Sequence, residues 1–271
     1  MKYQLFLLVL CVISIPLKAQ QANVQDYIVM PLEKAATYDY SHLWTLDTIN
    51  YEHGDNILAF IGNDFQHMNI VFLSVTKNNT NPYQYNVSGK SKVKNNICGF
   101  KGTITIDTLI YNKTLDCDDI VELGSLKGSY KLYENSNQPH TGIFSGRFDT
   151  NFMWKDRNYW ENCGDYSYNN MFTGTWTSYT THKSKPCNWG NDRIPGNFPD
   201  NGAGDFSPDT TKAPSWKSYP EESQKYWGKF YSLFNKYYPN HFQNNEGDGI
   251  KRWGVIKKLM ISNKKPWWNE L

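Results

Sequence analysis

Residues that could act in catalysis or metal binding occur along the chain, but they do not form a known motif. The six histidines are His42, His53, His67, His140, His182 and His241, and no two of them have the His-Glu-x-x-His spacing of a zinc site. The sequence also lacks a Gly-x-Ser-x-Gly nucleophile turn and a glycine-rich phosphate loop. From motifs we therefore predict no catalytic residue, no metal site and no cofactor.

Paired carboxylates are the remaining route to catalysis, because glycoside hydrolysis needs two of them at a set distance. The candidates are Asp192, Asp205, Glu221 and Glu222, which lie near an aromatic, Pro-rich segment. Spacing along the chain does not give their separation in space. A secreted glycan hydrolase therefore stays an alternative, and a non-enzymatic protein is the main expectation.

Four cysteines follow residue 20, and their positions on a meander select one pairing. They are Cys98, Cys117, Cys163 and Cys187. Cys98 and Cys187 are predicted at one end of the sheet, and Cys117 and Cys163 at the other. A ten-residue strand is about 33 Å long, while bridged Cα atoms lie within about 7 Å. We therefore predict the disulfides Cys98–Cys187 and Cys117–Cys163.

The elements that would position these groups are mainly β-strands. Alternating apolar and polar residues, with asparagine-rich turns between them, predict a β-meander. The predicted strands are Asn56–Gly62, Met68–Thr76, Tyr83–Lys94, Ile97–Ile106, Leu123–Tyr133, Gly142–Phe152 and Met171–Thr181. The expected fold is mainly β: an antiparallel up-and-down meander forming a strongly curved sheet or barrel, with a C-terminal amphipathic helix.

Four of these strands share a pattern of a large apolar residue, a glycine and a second apolar residue at alternate positions. The glycines are Gly102, Gly128, Gly146 and Gly174. Alternation places all three positions on one face, so that face is apolar. A glycine inside a strand weakens it, and we expect it to serve tight coiling or close approach of a ring or ligand. The neighbouring Tyr130, Phe148 and Trp176 are therefore candidate ligand-binding residues.

Phe172-Thr173-Gly174-Thr175-Trp176 resembles the Gly-x-Trp strand of lipocalins and the Gly-Thr-Trp strand of avidins. The resemblance covers about five residues and implies a calycin-like barrel that holds a small ligand. In those families the motif lies near the first strand, whereas here it lies late in the chain, so no ligand residue is transferred. Residues 90–205 also resemble secreted bacterial proteins, which adds no functional expectation.

The segment 182–220 holds six of the twelve prolines and is predicted to be a long lid, binding loop or wrap. Its residues Trp189, Asp192 and Arg193 are further candidate ligand-binding residues, with Arg193 paired to Asp192 or Asp205 as the plainer interpretation. Ser218-Tyr219-Pro220-Glu221 predicts a capped helix from about Tyr219 to Tyr237. We expect its aromatic stripe to pack on the sheet and to plug one barrel mouth.

Composition places the protein among folded, exported proteins. The chain has 271 residues, 39% of them hydrophobic, and a mean hydropathy of −0.66, which exclude disorder and a helical membrane protein. The apolar run 5–16 indicates a signal peptide with cleavage near Ala19–Gln20, and hence a periplasmic or secreted location. We predict a signal peptide at residues 1–20, a β-meander or barrel domain at 21–181 and a long Pro/Gly-rich loop at 182–220. Residues 221–271 are predicted to form a C-terminal helix and a basic, Trp-rich tail that pack on the same domain.

The charge balance of the chain argues against nucleic-acid binding. Residues 1–20 hold two of the 28 basic residues and no acidic one, so the remaining chain has 26 of each sign. Residues 251–271 are locally basic and end near Trp267 and Trp268, which would suit an anionic envelope surface. We expect an exported non-enzymatic protein that binds a small or sugar-like ligand. The alternative is a structural or interaction module at the cell envelope.

Overall fold

The computed structural model describes residues 28–45, 57–116, 119–154, 169–202, 206–239 and six separate positions beyond 251. The predicted signal peptide, Cys117 and Cys163 lie outside the described residues. Nine strands are present: β1 Ile28–Met30, β2 Ile57–Ile61, β3 Gln66–Lys77, β4 Gln84–Val93, β5 Asn96–Asp116, β6 Asp119–Glu134, β7 Gly142–Trp154, β8 Asn169–Ser178 and β9 Ser184–Asn191. The two α-helices are α1, Glu33–Ala36, and α2, Tyr219–Tyr237.

Strands β2 to β9 form a closed antiparallel barrel. Each pairs with its neighbour in the sequence, β2 pairs with β9, and β1 extends the sheet beside β5. This confirms the predicted mainly β, up-and-down architecture with a C-terminal helix. The fold is compatible with a calycin-like barrel. Closure leaves no free edge between β2 and β9, which removes the usual hazard of edge-to-edge pairing.

The strand that completes the barrel was not predicted from the sequence. β9 lies inside the segment that we expected to be a loop, because Pro186 and Gly190 read as turn residues. In the barrel β9 pairs with β2 on one side and β8 on the other. Pro186 has no N–H to donate, but its carbonyl accepts a hydrogen bond from the Gly62 N–H at 2.8 Å and so contributes to the pairing with β2. The barrel therefore ends at Asn191 rather than near residue 181.

The strand glycines serve close packing, as the pattern predicted. A Cβ atom on Gly128 would lie 2.0 Å from the carbonyl oxygen of Thr105 and 2.5 Å from the ring of Phe148. One on Gly174 would lie 2.2 Å from the carbonyl oxygen of Ser145 and 2.6 Å from the Tyr130 hydroxyl. Side chains at these positions would force neighbouring strands and rings apart, so glycine is what permits the tight coil.

The interior of the barrel is filled by side chains, most of them aromatic. One face of each strand supplies apolar residues that meet in a single buried cluster. Phe172 lies at its centre, with its ring centroid 4.9 Å from that of Trp189 and 5.7 Å from that of Phe148. Small barrels of this strand number are usually either filled in this way or hold one small ligand. Here the centre is filled.

The segment before β2 covers one barrel mouth. Trp44 donates from its indole Nε1 to the Thr150 hydroxyl at 2.8 Å and packs edge-on against Tyr85 and Phe148. The Tyr40 backbone N–H donates to the Tyr85 hydroxyl at 3.1 Å. We call this mouth the cleft end. The opposite mouth, where β6 ends at Glu134, is the Glu134 end.

Helix α2 has the predicted bounds but not the predicted partner. Its buried Phe230 and Phe234 pack against Ile256 and Met260 in a cluster separate from the barrel core. The expectation that this stripe plugs a barrel mouth is therefore wrong. The Ser218 side chain also makes no capping hydrogen bond, although its carbonyl accepts from the Glu222 N–H at 3.0 Å. The helix starts where Pro220 presets its first turn.

The loop after β9 wraps the outside of the barrel. Its Phe198 and Trp216 pack with Leu58 and Phe60, whose side chains point outward from β2. Trp216 also donates from its indole Nε1 to the Phe65 carbonyl at 2.9 Å. Among the wrap, lid and binding-loop roles expected for this segment, the wrap is the one observed. Within the described part of the chain, no helix has the length and apolarity needed to cross a membrane.

Candidate functional site

Three of the six predicted ligand-binding residues meet in the filled core. Tyr130, Phe148 and Trp189 all point inward and are 2–3% exposed. Tyr130 and Trp189 pack edge to face, with centroids 5.0 Å apart. These rings contact one another and Phe172 rather than an empty chamber. Of the three, only Trp189 also lines the cleft at the cleft end.

The Tyr130 hydroxyl is a buried polar group without a hydrogen-bond partner in the described structure. Burial raises its pKa well above the usual value, with a smaller contribution from Cys187 nearby. A buried unpartnered hydroxyl costs stability. It does not by itself indicate a ligand, because close-packed rings and the Gly174 backbone surround it.

A cleft opens at the cleft end between the covering segment and four strands, β2, β3, β8 and β9. It is lined by Trp44, Ile57, Ile70, Phe72, Asn170, Phe172, Trp189 and Asn191. Its empty space is about 280 Å³, part of it open to solvent. The lining is neutral, with aromatic surfaces and two carboxamides. The cleft can therefore receive one face or one substituent of a small ligand, but not enclose it.

The two carboxamides of the cleft differ in their hydrogen bonding. Asn170 accepts from the Thr150 hydroxyl at 2.9 Å and donates to the Leu43 carbonyl at 3.0 Å, so it is committed to the fold. Asn191 is 8% exposed, and its side chain makes no hydrogen bond to any described residue. Buried amides normally have partners. Asn191 therefore has donor and acceptor capacity left for a ligand or an ordered water.

Asn188, a second asparagine on β9, has hydrogen-bond partners for its side chain although it is about as buried as Asn191. Asn188 is 9% exposed, close to the value for Asn191. Its Oδ1 accepts from the Gly174 N–H at 3.1 Å, and its Nδ2 donates to the Pro195 carbonyl at 2.9 Å. Asn188 points outward beneath the wrapping loop and has a structural role. The pair allows the unpartnered amide to be compared with a partnered one of similar burial.

Trp176, another predicted ligand residue, lies at the opposite mouth. Its indole Nε1 donates to Glu134 Oε2 at 2.8 Å, and the Gly142 backbone N–H donates to the same oxygen at 2.9 Å. The Ser91 hydroxyl donates to Oε1 at 2.5 Å. Four strands are thus tied together by one buried carboxylate. Trp176 serves this closure and is distant from the cleft.

Glu134 is 6% exposed, and its pKa is raised from the model-compound value of 4.5. Burial is the larger cause, since it penalises the charged form. The three donors oppose it by stabilising the carboxylate. Both carboxylate oxygens accept hydrogen bonds from within the barrel, and the side chain is largely shielded from solvent. We interpret Glu134 as a structural latch.

The structure holds Cys98 and Cys187 as separate buried thiols, so the predicted bridge between them is not formed in it. Both side chains point inward. The Cys187 Sγ lies 4.0 Å from the Met68 Sδ, and Asn96 donates to the Cys98 Sγ at 3.3 Å. Burial raises the pKa of Cys98 to about 11 and that of Cys187 well above its usual value, and Glu134 adds to both shifts. The second predicted pair lies outside the described residues.

The remaining predicted residues lie just beyond β9, in the wrapping loop. Arg193 forms an ion pair with Asp200, a partner that the sequence did not predict, and Asp205, one of the two expected partners, lies outside the described residues. Asp192 has a left-handed φ of 58°. Of the four candidate hydrolase carboxylates, Asp205 lies outside the described residues and Glu221 is exposed and paired with Lys225. The described positions do not assemble a carboxylate pair around the cleft.

Asn191 and Glu134, the two most informative polar residues, were not predicted. Asn191 was hidden in an apparent loop. However, Cys187, Trp189 and Asn191 alternate as a strand would, and that spacing was the available signal. Glu134 ends a predicted strand and looks like an exposed charge beside a turn. Its burial depends on donors from three other strands, which no local pattern contains.

Within the described ranges, no group of three or more histidine, cysteine or carboxylate side chains is placed to hold a metal ion. Comparisons with protein-family models, with curated proteins and with solved structures return no match for this chain. The cleft and its contacts are therefore the basis for a functional proposal.

Proposed function

We propose that the protein is an exported, non-enzymatic binding protein that takes a small neutral, sugar-like ligand at the cleft end of the barrel. The observation that carries this proposal is the carboxamide of Asn191, which is 8% exposed and makes no hydrogen bond to a described residue, in a cleft that is also lined by the nearly parallel rings of Phe172 and Trp189. An amide beside aromatic surface offers directed hydrogen bonds and a stacking face together, as small-ligand sites generally do.

The chemistry of the lining favours a neutral ligand. None of the eight lining side chains is charged, so an ionic ligand would lose its hydration without gaining a counter-charge. The small enclosed space favours entry of one substituent, such as the acetamido group of an amino sugar. Its methyl group would contact the rings, and its amide would exchange hydrogen bonds with Asn191.

Two sequence features support the same proposal. The lipocalin- and avidin-like strand around Gly174 implies a barrel that binds a small ligand, and residues 1–20 have the pattern of an export signal. Since aromatic rings fill the barrel centre, the proposed ligand sits at the mouth and not in the interior.

The test is a titration with neutral sugars, followed by the intrinsic fluorescence of tryptophan. N-acetylglucosamine and methyl glucoside are added up to about 50 mM, far above a millimolar dissociation constant. We expect at least one to bind, and Asn191→Ala to weaken that binding about tenfold, as loss of about 1.4 kcal/mol would. Asn188→Ala on the same strand is the control and should bind normally when folded.

Two outcomes contradict the proposal. Either neither sugar changes the fluorescence or the ligand-detected NMR signal, or binding occurs and Asn191→Ala leaves it unchanged. In the second case the ligand would be located elsewhere on the barrel.

The filled interior favours a second candidate, a structural or interaction module at the cell envelope. A barrel packed with rings presents its outer surface and its basic tail as the parts able to meet a partner. Replacing Lys257, Lys258, Lys264 and Lys265 with glutamine should then release the protein from envelope fractions. Unchanged association would count against this role for the tail.

A further inference from the structure

The outer wall of the barrel has an uneven charge distribution. Residues 65–106, which span β3, β4 and the barrel part of β5, contain five lysines and no acidic residue. Strand alternation sends Lys90 and Lys92 outward from β4 and Lys101 outward from β5. Net charge over the chain is small, so this wall is a local excess of positive charge and not an effect of composition.

Strand β6 continues the same surface. Its Lys131 and Tyr133 point outward and are exposed, and Lys101 is paired in register with Tyr133. The Lys131 ammonium lies 5.4 Å from the centroid of the Tyr133 ring. We call Lys90, Lys92, Lys101, Lys131 and Tyr133 the lysine wall. Serine and threonine hydroxyls alternate with these residues, since Ser88 lies opposite Lys101 and Thr103 opposite Lys131.

The next part of the barrel surface behaves differently. Lys127 on β6 pairs with Asp149, and Arg147 on β7 pairs with Asp107 at 2.5 Å. By contrast, Lys101 and Lys131 form no ion pair with any residue that the structure describes. Among the described residues, Lys127 and Arg147 are thus neutralised by ion pairs, whereas Lys101 and Lys131 are not.

We infer that the lysine wall binds an anionic polysaccharide. Lys90 and Lys92 are about 7 Å apart along β4. Lys101 is a diagonal neighbour of Lys90 on β4 and of Lys131 on β6, each about 7–8 Å away. These four lysines can therefore meet successive charges on a polymer. The exposed Tyr133 ring offers a stacking face for a sugar, and the interleaved hydroxyls can exchange hydrogen bonds with sugar hydroxyls. This inference concerns a different surface from the cleft and does not depend on the proposed function.

Other anionic partners fit the surface less well. A convex barrel wall touches a flat membrane only along a narrow strip, and among the wall's own residues Tyr133 is the only exposed aromatic side chain. The cations of the wall are all lysines, whereas the forked arginine side chain is the one suited to bidentate phosphate contacts. A flexible carboxylated or sulfated chain can follow the curve and meet single ammonium groups.

The experiment compares the full chain with two double variants of equal net charge. Lys101→Glu/Lys131→Glu changes the wall, and Lys217→Glu/Lys225→Glu changes two exposed lysines away from it. Binding to polygalacturonate is measured at low and at physiological salt, with neutral dextran as a blank. We expect binding that weakens with salt, a loss of at least tenfold in the wall variant, and little change in the control variant.

Three results would overturn the inference. Polygalacturonate fails to bind at low salt, or both double variants lose the same affinity, which would indicate bulk charge only. The third is tighter binding to single-stranded DNA or to phosphatidylglycerol vesicles than to polygalacturonate, with the same dependence on Lys101 and Lys131. Circular dichroism of both variants confirms that the barrel is intact.

Discussion

The two mouths of the barrel handle buried polar groups in opposite ways. At the Glu134 end, a carboxylate accepts hydrogen bonds from Ser91, Gly142 and Trp176, so both of its oxygens have partners. At the cleft end, Asn191 is 8% exposed, close to the 6% of Glu134, but its side chain makes no hydrogen bond to a described residue. A polar group with all partners stabilises the fold, while one without partners is where a ligand can gain affinity. Burial alone does not separate the two roles.

The largest expected effect on stability comes from removing the Glu134 carboxylate, which accepts hydrogen bonds from three other strands. Glu134→Ala leaves the buried Gly142 N–H and the partly buried Trp176 indole N–H without an acceptor, at about 1–3 kcal/mol each. We expect the free energy of unfolding, measured by urea titration, to fall by about 2–5 kcal/mol. Glu134→Gln is the control, because its amide can accept from both N–H groups and donate to Ser91. A small effect of the alanine variant would show that water replaces the carboxylate.

The pH dependence of stability should carry the signature of the same carboxylate. Because burial raises the pKa of Glu134 above 4.5, the folded state holds the proton to higher pH than the unfolded state does. Its contribution is then fully present below about pH 4.5 and is lost as pH rises through the raised pKa. Relative to Glu134→Gln, the parent protein should lose stability over this window. Parallel profiles of the two proteins would contradict a raised pKa.

Replacing each of the two asparagines on β9 tests the same contrast between partnered and unpartnered polar groups, with smaller expected losses of stability. Asn188→Ala removes two hydrogen bonds and leaves the Gly174 N–H without its side-chain acceptor. We therefore expect the free energy of unfolding to fall by about 1–3 kcal/mol. Asn191→Ala removes no hydrogen bond to a described residue, and its unfolding free energy should change by less than about 1 kcal/mol. Thermal and urea unfolding of both variants test this. Equal losses would mean that Asn191 has structural partners after all.

Thiol reactivity tests whether Cys98 and Cys187 form the predicted disulfide or stay separate thiols, as in the structure. Two buried thiols with raised pKa values should react very slowly with iodoacetamide in the folded protein. After unfolding without reductant, both Cys98 and Cys187 should be labelled. Peptide mapping reads this directly. A disulfide-linked pair of peptides containing Cys98 and Cys187 would contradict the structure and restore the sequence-based pairing.

Periodicity was sufficient to predict the meander, seven of the barrel strands and the bounds of α2. These features depend on residues close in sequence, such as the alternation around Phe100 or the Pro220 start. Strand β9 was missed because its proline and glycine outweigh a short alternation, and only pairing with β2 and β8 stabilises it. The partner of α2 and the burial of Glu134 depend on distant contacts, which a local pattern does not contain.

The same limit applied to the candidate site. Tyr130, Phe148 and Trp189 were correctly placed on the apolar face, yet whether that face surrounds a chamber depends on ring packing across the barrel. Trp176 belongs to the same motif but serves the latch at the other mouth. The glycine pattern predicts close approach, and the structure shows that side chains of the protein itself occupy the space.

The most direct test of a ligand site at the cleft end uses tryptophans as reporters of position. Protein labelled with 5-fluorotryptophan is titrated with N-acetylglucosamine and followed by ¹⁹F NMR, with resonances assigned from Trp44→Phe, Trp176→Phe and Trp189→Phe variants. Trp44 and Trp189 line the cleft, and Trp176 lies at the Glu134 end. We predict shifts at Trp44 and Trp189 and none at Trp176. A shift confined to Trp176, or no shift at any of the three, would contradict the account.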